Sequence, residues 1–160
     1  MGIKTMHIRN DAIPKSKALA KDLFDHTLKD DPEFHFFFEP SLIFRITTED
    51  CLMKAKEFLR ARNVEFEEYD YPYPCPTEGR FGKRFGEGGI VADNLELFLP
   101  VFHANSIAAL TMSEEDHFKY LERLVHTAFN PEGYSHEQEG KWLLKLAALK
   151  LDLSVENCIK

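Results

Sequence analysis

The sequence predicts an α+β fold: one domain over residues 1–160, with a small mixed or antiparallel sheet packed with helices and a helical C-terminal half. Two observations carry this reading. Phe34-His35-Phe36-Phe37-Phe38 and Leu42-Ile43-Phe44-Arg45-Ile46 are short aromatic and branched runs split by Pro40-Ser41, which suits strands better than helices. Beyond Asn94 the apolar residues recur at helical spacing, and start and stop signals mark separate segments.

The first helix is predicted over 14–30, where Leu19, Leu23, Phe24 and Leu28 form one stripe and Pro14 suits the first turn. The two aromatic runs then make a tight hairpin or bend. Thr48-Glu49-Asp50 offers a cap with early acidic residues, and Leu52, Ala55, Phe58 and Leu59 make the buried face of a helix to about Asn63. Val64 to Tyr71 reads as a strand halted by Pro72, Pro74 and Pro76. Residues 76–90 hold five of the eight glycines and read as a loop. Helices follow at about 94–110, 114–130 and 135–151. Ser113 and Ser135 sit at two of their starts, the second with Gln138 as a capping box, and Asn130-Pro131-Glu132-Gly133 is a stop. The β-β-α-β middle resembles part of a ferredoxin-like sheet.

Composition narrows the function. With 20 Lys+Arg against 27 Asp+Glu the net charge is −7, the wrong sign for direct nucleic-acid binding as the main task. No apolar run reaches the length of a membrane span. The N-terminus lacks a signal-peptide pattern, and Cys51, Cys75 and Cys158 are too few and too scattered for a disulfide framework or a zinc knuckle. The expectation is a cytoplasmic protein with no membrane partner and no cofactor.

Three features bear chemistry. The loop from Thr77 to Gly89 repeats Arg-Phe-Gly, placing Arg80, Lys83 and Arg84 among glycines. Such a loop is either an anion clamp or a solvated surface segment. Arg45 lies inside an apolar strand, where it either meets an anion or marks an edge strand that discourages aggregation. On the penultimate helix Phe118, Leu121, Val125 and Ala128 form the expected core stripe, and Arg123, His126 and Asn130 share an adjacent polar face. Histidine is the side chain suited to move protons near neutral pH, although helix histidines also serve structural roles. His103, His117 and His136 are weaker candidates, and no two-histidine spacing with an acidic partner is evident, so no metal is expected.

Taken in order, these segments resemble the C-terminal domain of lanthipeptide dehydratases, also called the thiopeptide-type bacteriocin biosynthesis domain. Leu42-Ile43-Phe44-Arg45-Ile46 is similar to that family's Leu-Arg-Leu-Arg strand, and the glycine loop to its Glu-x-x-Arg-Tyr-Gly-Gly segment. Phe102-His103-Ala104-Asn105-Ser106 resembles its Phe-x-x-Asp-Ser helix. His126 to Gly133 resembles its His-x-x-x-Asn-x-x-Gly signature, with Glu139 where the family carries an acidic residue. The resemblance implies a short stand-alone lyase that eliminates glutamate from glutamylated Ser or Thr of a ribosomal peptide, or performs a related cyclisation. Carried over by position, His126, Arg45 and Arg84 would be catalytic, with Arg80 as the alternative loop arginine; Arg80, Arg123 and Asn130 would bind substrate. The implied partners are a modified precursor peptide and a separate glutamylation protein, with a homodimer left open. The other reading is a catalytically silent module that binds a peptide or partner protein through its sheet and aromatic surface.

Overall fold

The computed structural model describes residues 2–9, 17–38, 42–71 and 93–150. The described chain opens on a strand, β1 (Lys4–Ile8), followed by helix α1 (Lys17–Leu23), which runs into a π-turn at Phe24–Leu28. Strands β2 (His35–Phe38) and β3 (Leu42–Ile46), helix α2 (Glu49–Ala61) and strand β4 (Phe66–Asp70) complete a β-α-β-β-α-β succession. Helices α3 (Leu95–Thr111), α4 (Glu114–Phe129) and α5 (His136–Lys150) follow. The fold is α+β, with the C-terminal half helical.

The sheet has strand order β2-β3-β1-β4, and every pairing is antiparallel. That order is the ferredoxin-like, split arrangement. The predicted hairpin strands pair as expected, with Phe36 opposite Phe44 and Phe37 opposite Ile43. β1 was not foreseen. It lies between β3 and β4, so its hydrogen-bond partners are more than 30 residues away in sequence and no local turn signal announces it. Thr5, Met6 and Ile8 suit a strand; Met6 and Ile8 join the main core, while Thr5 and His7, also buried, lie on the other sheet face.

The chain divides into two compact units, one of residues 1–73 with 94–112 and the other of 74–93 with 113–160. In the first unit Met6, Ile8, Leu42, Phe44 and Ile46 project from one sheet face into a core shared with Leu19, Leu23 and Leu28 and with Cys51, Leu52, Ala55 and Leu59 of α2. Phe34 is fully buried there and stacks against Phe24, Phe36 and Phe44, with ring centroids 6.0–6.3 Å apart. The phenylalanine-rich hairpin is thus chiefly core, worth about 1.5–3 kcal/mol for each fully buried ring.

Asp31 fixes the entry to α2. Its buried carboxylate accepts hydrogen bonds from the Thr47 backbone N–H and hydroxyl, both at 2.7 Å, and from the backbone N–H groups of Glu33 and Thr48 at 3.0 and 3.1 Å. Thr48 occupies the N-cap position as expected, but its hydroxyl makes no capping bond to the helix. α2 ends through Asn63, whose φ of 53° is the left-handed conformation that asparagine tolerates at a helix end.

In the second unit the expected helix boundaries hold. Ser113 accepts from the Asp116 N–H, and Ser135 and Gln138 bond reciprocally at 2.8 and 3.3 Å, which is the capping box. Gly133, at φ 66°, turns the chain after a single 3-10 turn at Asn130–Glu132. The expected core stripe of α4 is not buried: Phe118 is 68% exposed and no residue of that helix is fully covered. The contacts that α4 makes with the following segment gather at its C-terminal end, around His126 and Phe129, and Phe118 lies more than two turns before them.

Candidate functional site

The residues singled out by the sequence are distributed over both units. Arg45 belongs to the first. Arg123, His126 and Asn130 belong to the second. Arg80 and Arg84, with the whole glycine loop, lie outside the described residues.

Arg45 sits on the sheet face opposite the main core, because residues alternate along β3 and Phe44 and Ile46 face the helices. By register the same face carries Thr5, His7, His35, Phe37, Ile43 and Tyr69. Arg45 is 3% exposed. Its guanidinium lies over the Phe37 ring at 4.7 Å and the Tyr71 ring at 4.8 Å, and it donates to His35 Nε2 at 3.2 Å. The edge-strand reading of this arginine is therefore overturned: β3 is internal, with β2 on one side and β1 on the other. The edge strand beside it, β2, packs against α3. Ser106 Oγ accepts from the Phe36 N–H at 3.1 Å, and His103 Nδ1 donates to the Phe34 carbonyl at 2.7 Å.

His35 completes this polar row and was passed over in the sequence, where it stands inside a run of phenylalanines. Its Nδ1 donates to the Glu33 carbonyl at 3.0 Å, so Nε2 is the unprotonated acceptor for Arg45. Burial first, and the neighbouring Arg45 charge second among the depressing influences, push its pKa down to about 4 against the opposing hydrogen bond to Glu33. His35 is a neutral structural acceptor. Thr5, opposite Arg45 in register, buries its hydroxyl without a hydrogen-bond partner among the described residues. Burial also lowers the pKa of His7 and raises that of Tyr71.

His126 occupies the last turn of α4 and is half-buried. Its Nδ1 donates to Glu139 Oε2 of α5 at 3.0 Å. Since a carboxylate only accepts, this contact puts the proton on Nδ1 and leaves the Nε2 lone pair for another partner. Arg123, one turn before His126, and Asn130, one turn after it, are exposed. Asn130 additionally closes the turn through its carbonyl, which accepts from the Gly133 N–H at 3.0 Å. The hairpin also brings in a residue ranked low by sequence. The His136 ring stacks on the His126 ring at 5.3 Å, and donor atoms of His126, His136 and Glu139 all lie within 4.8 Å of one another. The expectation of no metal rested on the lack of a two-histidine spacing with an acidic partner; these three side chains come from two helices joined by a reversal, ten and three residues apart.

No helix among the described residues is long and apolar enough to cross a membrane. Comparison with family models, with curated proteins and with solved structures returns no match.

Proposed function

We propose that this chain is a lyase-type, stand-alone relative of the glutamate-elimination domain of lanthipeptide dehydratases, acting in the cytoplasm on a modified ribosomal peptide. The observation that carries the reading is the His126–Glu139 hydrogen bond, because it holds a histidine in the tautomer that a general base requires. In the elimination, His126 Nε2 removes the α-proton of a glutamylated Ser or Thr. The Cα–Cβ double bond forms as the Cβ–O bond breaks, and glutamate departs with the electron pair as its carboxylate. Glu139 steadies the imidazolium that results. An arginine neutralises the departing carboxylate and the enolate-like charge; the resemblance gives this part to Arg84 or Arg80, with Arg123 and Asn130 contacting peptide, whereas Arg45 is buried against Phe37, Tyr71 and His35 in the first unit and is left to the scaffold. A separate glutamylation protein supplies the substrate.

The test is incubation of chelator-treated protein with a glutamylated precursor peptide, followed by mass spectrometry for loss of glutamate. The wild-type chain is expected to yield the dehydroamino acid, and His126→Ala to slow the reaction by about 10²–10⁴-fold while keeping its helical circular dichroism. Full activity in His126→Ala removes that residue from the mechanism, and an inert wild-type protein overturns the elimination reading. Strand addition by a peptide, the binding-module reading, gains little support at β2, whose Phe36 N–H already has Ser106 as acceptor.

A further inference from the structure

We infer that the α4–α5 hairpin holds a divalent transition-metal site, with His126, His136 and Glu139 as ligands and zinc the best-suited ion. The inference stands on the hairpin alone and does not need the elimination reading. Two imidazoles and one carboxylate are a donor set that zinc takes in sites keeping a fourth position for water or substrate. Imidazole ligation also favours the late first-row ions over magnesium or calcium.

The geometry is close to what an ion requires. A tetrahedral ion with bonds of about 2.0–2.1 Å holds its donor atoms roughly 3.3 Å apart. His126 Nδ1 and Glu139 Oε2 are 3.0 Å apart across their hydrogen bond, and every donor in the group lies within 4.8 Å of the other two; the ion takes the place of the Nδ1 proton, and Nε2 then carries the ring proton. The remaining adjustment, about 1.5 Å at most, is within reach of side-chain rotation. His136 is exposed and stands at the first position of α5, so its ring can turn without disturbing a core. His136 and Glu139 are three residues apart and therefore share one face of that helix.

The backbone beneath these ligands is held independently of any ion. Gly133 supplies the left-handed turn, Ser135 and Gln138 fix the start of α5, and the Tyr134 ring packs between those of Phe129, tilted at 5.8 Å, and Trp142, stacked at 6.4 Å. A preformed turn lowers the ordering cost that binding would otherwise meet. Glu139 already orients His126, and a carboxylate beside a histidine adds negative charge where a cation would sit.

The test is calorimetric titration of the chelator-treated full chain with zinc ion, paralleled by visible spectra with cobalt(II). One saturable equivalent and the intense absorption of tetrahedral cobalt are expected. His136→Ala and Glu139→Gln should each weaken binding by at least about tenfold. His26→Ala, an exposed histidine in the other unit, should leave it unchanged. Absence of saturable zinc binding to the wild-type chain overturns the site, as does wild-type affinity in both His136→Ala and Glu139→Gln. A chain that binds zinc but does not process the glutamylated peptide refutes only the elimination reading; one that processes the peptide without binding zinc refutes only the metal site.

Discussion

Acidification should weaken the first unit through His35, and the size of the effect follows from its surroundings. The imidazole is 2% exposed, lies against the Phe102 ring at 5.3 Å, and offers Nε2 to the Arg45 guanidinium. Protonating it would bury a second positive charge and turn the acceptor into a donor. Its pKa falls from 6.5 to about 4 in the folded chain, so the unfolded chain binds the proton first. Stability is therefore fully present above 6.5 and declines as the pH drops toward 4. Each pH unit in that window costs about 1.4 kcal/mol, or roughly 3 kcal/mol across it. His7, also depressed by burial, adds loss in the same direction. The assay is urea unfolding at several pH values between about 7 and 4, with hydrogen exchange of the β3 amides reporting the sheet directly. His35→Gln keeps an acceptor near Arg45 and removes the titration. Its pH dependence should be flatter than that of the wild type by most of that 3 kcal/mol. Identical slopes in the two proteins would refute the argument that a neutral, buried His35 is what acid attacks.

Other consequences concern the scaffold. Replacing Asp31 by Ala strips the acceptor from three backbone N–H groups and the Thr47 hydroxyl, and should cost about 3 kcal/mol or more in urea unfolding, with Asp31→Asn intermediate. Phe34→Ala should cost about 3–5 kcal/mol, because the ring is fully buried among three other phenylalanines. At Gly133 a side chain meets no neighbour within 4 Å, so the roughly 1 kcal/mol cost of Gly133→Ala should come from the positive φ alone, read as a fall in the melting temperature.

Much of the first unit was legible because its signals are local. The aromatic runs around Pro40-Ser41 alternate between faces whatever they pair with, and Leu52, Ala55 and Leu59 mark one face of α2 by spacing alone. The same holds for the serine starts and the Gly133 stop, where the hydrogen-bonding groups lie within a few residues of each other. β1 escaped because a five-residue strand has no capping signature and draws its identity from partners near residues 42–46 and 66–70.

The candidate site divides along the same line. Sequence alone placed Arg45 in a strand and put Arg123, His126 and Asn130 on one helix, since both follow from backbone period. Whether Arg45 was an edge charge or an interior one depended on strand order, which no segment of the chain encodes by itself. Its pairing with His35 is a cross-strand contact set by the β2–β3 register, which local pattern left open. Likewise the sequence supplied His126, His136 and Glu139 as three separate polar positions. The reversal at Gly133 decided that they meet, because side-chain chemistry depends on distance through space and the chain measures only distance along itself.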